Sequence, residues 1–104
     1  MKSIHVKTLE KYNPGYRDRD LIWCKIYFSM LNGDPEFELL EEIDQWRYVK
    51  LIMLEIQTKK PVPFDQKYLE MKGFDNKKRR ISLTIEMLHN FIEVCNTINE
   101  KHVT

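Results

Sequence analysis

Five cations crowd into nine residues of this 104-residue chain: Lys72, Lys77, Lys78, Arg79 and Arg80, with Asp75 the one acid among them. Arginine presents a planar fork that can grip a phosphate or a guanine edge with two bonds, whereas lysine offers a compact point charge suited to phosphate. Four of the five are consecutive. If they open a helix, successive side chains diverge by about 100°, so two or three of them share one surface. A basic helix start opposes the helix dipole, and that local cost argues for a use.

No other group of reactive residues converges. His5, His89 and His102 share no ligand spacing with one another or with Cys24 and Cys95, and a structural metal centre needs about four converging ligands. No metal and no cofactor is expected. Glu41, Glu42 and Asp44 form an acidic cluster, but they begin a helical pattern, where acids are favoured by the dipole. A Gly-rich phosphate loop, a nucleophile elbow and a paired Cys/His motif are all missing from the sequence, so nothing in it supports an enzyme. Trp23, Tyr27, Phe28, Phe37, Trp46 and Tyr48 sit at helical spacing among aliphatics and read as core rather than as base-stacking platforms. Tyr12 and Tyr16 flank a turn beside Arg17 and Arg19 and are the aromatics expected to be exposed near a basic surface.

The elements that must carry these residues are legible in outline. Residues 3–9 alternate and predict a short strand. Asn13-Pro14-Gly15 is turn chemistry. Ile22, Ile26 and Met30 recur every fourth residue and predict a helix over about 20–31, stopped by Asn32-Gly33. Asp34-Pro35-Glu36 then starts a short helix. The longest apolar stretch, with Ile43, Trp46, Val49, Leu51 to Leu54 and Ile56, predicts a central helix that Pro61-Val62-Pro63 ends. Asp65 caps a short helix over about 65–72, Gly73 interrupts, and Asp75 or Asn76 caps a further helix to about Asn90. Phe91 to Val94 predicts a strand, and Glu100 to Val103 a return strand. The shared apolar stripe places Trp46, Val49, Met53 and Ile85 in the core, with Leu69, Ile81 and Leu88 near them.

Size and composition bound the rest. At 104 residues the chain is one domain, spanning 1–104. It contains no alanine, and its apolar fraction of 42% is carried by ten Ile, five Met and twelve aromatic residues. The formal net charge is +1, which by itself does not announce a nucleic-acid binder. The distribution is uneven, with residues 34–60 acidic and residues 72–80 basic. No stretch has the roughly 18 uninterrupted apolar residues that span a bilayer, and the start of the chain lacks the apolar run of a signal peptide. A cytoplasmic protein with two reduced packing cysteines and no membrane partner is expected.

Two helices joined by a tight Gly-containing turn and followed by an apolar strand make a helix-turn-helix leading to a wing. The run Tyr68-Leu69-Glu70-Met71-Lys72-Gly73-Phe74-Asp75 resembles the turn of winged-helix proteins, with Leu69 inside, Gly73 in the left-handed conformation and Asp75 as cap. Glu70 stands where that family has a small residue. Over residues 3–95 the order of blocks resembles phage-type replication proteins, the DnaD-like replisome organisers and helicase loaders. The residues that carry the likeness are Ser3 to Lys7, Tyr16-Arg17-Asp18-Arg19-Asp20-Leu21-Ile22-Trp23-Cys24-Lys25-Ile26-Tyr27, Asp34-Pro35-Glu36-Phe37 and Phe91 to Val94. Members of that family continue into a further region, so the resemblance implies their N-terminal domain.

The expectation is therefore a mostly α winged helix-turn-helix with a small β component. It would bind duplex DNA through Lys72, Lys77, Lys78, Arg79 and Arg80 at the start of a recognition helix. Replication proteins such as a helicase and a second copy of the chain are further expected partners; Ile4 to Lys7, as an edge strand, would pair with the wing or with that copy. Two alternatives stand beside it: a protein-interaction module of the replication machinery, and a small winged-helix transcriptional regulator. Arg79 and Arg80, as exposed charges at a helix start, are expected to contribute little to stability.

Overall fold

The computed structural model describes residues 2–26, 30 and 33–96. The alternating start of the chain forms β1 (Lys2–Val6), with Ile4 and Val6 turned into the core. β1 is the middle strand of a three-stranded antiparallel sheet. On one side it pairs with β2 (Val62–Pro63), Ile4 opposite Val62. On the other it pairs with β3 (Ile92–Asn96), Ser3 opposite Cys95 and Val6 opposite Ile92. The first strand is thus central rather than an edge: β3 pairs with it along its whole length, whereas the two-residue β2 pairs only with Ser3 and Ile4. Cys95 lies against the Ser3 hydroxyl at 3.2 Å, and both it and Cys24 are free thiols.

The chain then makes one helical turn, α1 (Leu9–Tyr12), and one 3₁₀ turn at Tyr16–Asp18. Tyr16, expected at the surface, is buried instead, while Tyr12 is exposed. The helix predicted over 20–31 does not form in its described part. Residues 20–26 are irregular, and residues 27–29 and 31 lie outside the described residues. The physical reason is a side-chain clamp. Lys25 donates its N–H to the Asn13 side-chain carbonyl at 2.7 Å, and the Asn13 amide reaches the Lys25 carbonyl at 3.5 Å. Lys25 is thereby held to a distant side chain in place of a helical ladder, and Ile22 and Trp23 project into solvent.

Asp34 caps α2 (Pro35–Glu38) as its type and position require, accepting the Phe37 N–H at 3.2 Å. The central helix is α3 (Glu42–Thr58). Its inward face is a strict helical phase: Asp44, Arg47, Tyr48, Leu51, Ile52, Glu55 and Ile56 are all buried. Trp46 and Met53, expected in the core, lie off that phase and are exposed; Val49 and Ile85 are only partly buried. Charged residues in phase with the apolar stripe take the place that large apolar ones out of phase cannot reach. Tyr48, Phe37 and Phe91 form a ring cluster with centroids 5.2–6.2 Å apart, and burial pushes the Tyr48 phenol up to about 12.

After β2 come α4 (Gln66–Met71) and α5 (Ile81–Met87). Leu69, Phe74, Ile81 and Leu88 close the core against Ile4, Leu51, Val62 and Ile92. The predicted return strand at Glu100 to Val103 lies outside the described residues. No helix of the described residues is long and apolar enough to cross a membrane.

Candidate nucleic-acid interface

The basic segment is built on a helix stop. Gly73 follows α4 with φ +79°, the left-handed region that only glycine enters without strain. Phe74 donates its N–H to the Leu69 carbonyl at 2.7 Å and Gly73 to that of Glu70 at 3.1 Å. These are the six-to-one and five-to-two bonds of a Schellman motif, and buried Phe74 and Leu69 sit at the two positions that usually make its apolar contact. Lys50 of α3 seals the turn, donating to the Gly73 carbonyl at 2.7 Å with its ammonium 4.8 Å from the centre of the Phe74 ring.

From this anchor the chain does not turn directly into a helix. Residues 75–80 form a bent loop, and α5 starts at Ile81, four or five residues later than its composition suggests. Asp75 still caps it, but across the loop. One carboxylate oxygen accepts the Ile81 N–H at 2.7 Å, and the other accepts from Gln66 and from Arg80 at 3.1 Å. Burial alone would raise this carboxyl; the Gln66 and Ile81 hydrogen bonds and the charges of Arg80 and Arg47 outweigh it and hold it below the usual range. Asn76 caps the loop locally, accepting the Arg79 N–H at 2.7 Å.

The five predicted cations therefore divide. Lys77 and Lys78 are exposed on the loop. Lys72 is exposed at the C-terminal cap of α4, its ammonium 5.9 Å from the centre of the Tyr68 ring. Arg80 is half exposed while reaching Asp75. Arg79 is turned inward, with a side chain only 14% exposed. Its Nε and Nη2 donate to both oxygens of Asp44, and Nη1 lies 3.5 Å from Glu41. The Asp44 carboxylate, chiefly through hydrogen bonding, raises the Arg79 guanidinium further above its ordinary value. Four of the cations thus stand on a loop before a short helix rather than on its first turn, and Arg79 is no free surface charge.

Sequence reasoning missed what lies beneath. Thr84 of α5 donates its hydroxyl to Asp44 at 2.7 Å and accepts from Arg47 Nη1 at 2.7 Å. Arg47 is 1% exposed, and its Nε and Nη2 have no hydrogen-bond partner. Burial lowers its guanidinium from the ordinary value against the support of Asp44 and Asp75. The signal was the helical phase: Asp44 and Arg47 fall in register with Leu51 and Glu55.

Elsewhere, a partly enclosed cavity of about 260 Å³ lies among Val6, Asn13, Ile26, Phe37, Tyr48 and Phe91; none of the five cations lines it. Among the described residues, no group of three or more His, Cys, Asp or Glu side chains could hold a metal ion. Comparison with protein-family models, with curated proteins and with solved structures found no match for this chain.

Proposed function

We propose that this chain is a winged-helix DNA-binding domain of the phage-type replication class, engaging duplex DNA through the loop that leads into α5. The observation that carries this reading is the exposure of Lys77 and Lys78, with Arg80 beside them, on that loop. The order α3, β2, α4, α5, β3 supports it, because helix, strand, helix, helix, strand is the order of a winged helix. In that arrangement α5 is the helix that faces the major groove, and its N-terminal approach lies nearest the bases and phosphates. Lys72, Lys77, Lys78 and Arg80 supply charge for phosphates, and Arg79 is a fifth cation once it leaves Asp44.

Fluorescence polarisation of a labelled duplex across a salt series tests the proposal. Two to four phosphate contacts give a slope of log K against log salt of about −2 to −4. Lys77→Ala combined with Lys78→Ala flattens that slope by about one to two units and leaves the melting temperature unchanged. A wild-type slope in the double variant makes the loop a solvated face.

A second reading is a protein-docking module of the replication machinery. Ile22, Trp23, Trp46, Met53 and Met71 are exposed large apolar side chains and favour it. Salt-independent DNA binding, or none, would select it.

A further inference from the structure

The strangest group in the molecule is the buried guanidinium of Arg47. A charge out of water is costly unless its hydrogen bonds are made, yet Arg47 uses Nη1 on Thr84 and leaves Nε and Nη2 without partners. One oxygen atom, the Thr84 hydroxyl, separates it from the carboxylate of Asp44, since that hydroxyl accepts from Arg47 and donates to Asp44, each at 2.7 Å. Asp44 and Arg47 are also three residues apart on α3, so their side chains are neighbours on one helix face. What occupies the rest of Asp44 is Arg79, whose positive charge works against that of Arg47.

Two guanidiniums therefore compete for one buried carboxylate, and the one nearer solvent holds it. We propose that Arg47 is a positioning residue that allows Arg79 to leave Asp44 for a nucleic-acid phosphate. When Arg79 swings outward, Asp44 would be left in the interior with only the Thr84 hydroxyl. Arg47, with two unused nitrogens, takes its place. The exchange keeps the buried carboxylate paired, satisfies the orphaned nitrogens and relieves the repulsion between the two arginines. The backbone need not move, because Asn76 holds the Arg79 N–H from outside the network. Glu41, exposed at the rim and 3.5 Å from Arg79 Nη1, marks the way out. The inference rests on the DNA reading for the identity of the phosphate, but the exchange itself belongs to the free protein.

The test uses the full chain in two assays, urea unfolding and salt-dependent binding of a labelled duplex, with Arg79→Gln, Arg47→Met and the double variant. In unfolding, Arg79→Gln changes the folding equilibrium constant by less than about tenfold, because Arg47 takes over Asp44. In the Arg47→Met background the same change lowers that constant by a further hundredfold or so, since Asp44 then has no cation. In binding, Arg79→Gln and Arg47→Met each reduce the salt slope by about one unit, the value of one phosphate contact, and the double variant reduces it no further. A wild-type slope in Arg47→Met beside a reduced slope in Arg79→Gln overturns the proposal. So does an Arg79→Gln loss equal in both backgrounds. If Arg47→Met fails to fold, nitrogen-detected NMR of Arg79→Gln decides. Slower exchange of the Arg47 Nε–H than in the wild type supports the exchange of partners, and unchanged exchange overturns it. Absence of salt-dependent binding in the wild type defeats the DNA reading alone, and the unfolding arm still decides whether Arg47 replaces Arg79.

Discussion

Glu55 is the buried acid whose removal the structure makes most measurable. It lies on α3 with no solvent exposure and binds β1 at two points: the Val6 N–H reaches one carboxylate oxygen at 2.8 Å, and His5 Nδ1 reaches the other at 2.5 Å. The Tyr16 hydroxyl approaches the second oxygen at 3.4 Å, too long to count for much. Glu55→Ala strands a buried N–H, about 1–3 kcal/mol, and breaks a charge-assisted bond, about 1.5–3 kcal/mol. The expected loss is about 3–5 kcal/mol, in the range for breaking a buried ion pair. Glu55→Gln keeps an acceptor for Val6 and costs about 1–2 kcal/mol.

The two variants also differ from the wild type in pH dependence. The Glu55 hydrogen bond raises the His5 imidazole above its ordinary value against the effect of burial, with the charges of Glu55 and Glu93 adding to it and Arg17 opposing. A group whose folded pKa is raised stabilises fully below its unfolded value, about 6.5, and that contribution disappears as pH rises through the folded value. Urea midpoints of the wild type should therefore fall on going from pH 6 into the alkaline range, and those of Glu55→Gln should not show this fall. Proton NMR titration of the His5 ring, assigned with a His5→Asn control, reads the same shift directly. An Ala variant that loses less than about 1 kcal/mol, or a Gln variant with the wild-type pH profile, would refute this account of how α3 is held to the sheet.

Two further outcomes follow from packing and backbone geometry. Leu69→Ala, at a side chain with no exposure, should cost about 2–5 kcal/mol, whereas Trp46→Ala, at a side chain more than half exposed, should cost about 1 kcal/mol or less; the reverse order in denaturant melts would mean that α3 is rotated about its axis. Gly73→Ala places a Cβ at φ +79° and 2.9 Å from the Lys50 ammonium. It should cost about 1–2 kcal/mol, and calorimetry should show a melting temperature lower by roughly 4–8 °C for each of those kilocalories.

Features that depend on a few neighbouring residues were readable in the sequence. Asp34-Pro35, Asp65 and Gly73 act within one turn of themselves, and each does in the structure what its type demands. Features set by distant partners were not. The periodicity of Ile22 and Ile26 is helical, but Asn13 captures Lys25 from twelve residues away and overrides it. Asp75 is a helix cap by type, yet its partner is the Ile81 N–H six residues on, so a loop opens where a helix was expected. The basic cluster was visible as composition. Its division into exposed lysines and an inward Arg79 depends on Asp44, thirty-five residues earlier, and no local pattern records that pairing.

The place of β1 in the sheet bears on how the chain reaches its native state. The strand made first is flanked by one at residue 62 and another at residue 92. Closing those ladders means joining segments some sixty and ninety residues apart, and contacts of such separation slow folding because the loop entropy is spent before any bond rewards it. Helix α3 and the turn after α4 need no such journey. Their contacts are local, so they are expected to form first and the sheet late. Mutations in β1 should accordingly speed unfolding and leave the folding rate almost untouched, whereas those in α3 should slow folding. During synthesis, Ile4 waits for its first strand partner until residue 62 is made, and Val6, opposite Ile92, until nearly the whole described chain has been made.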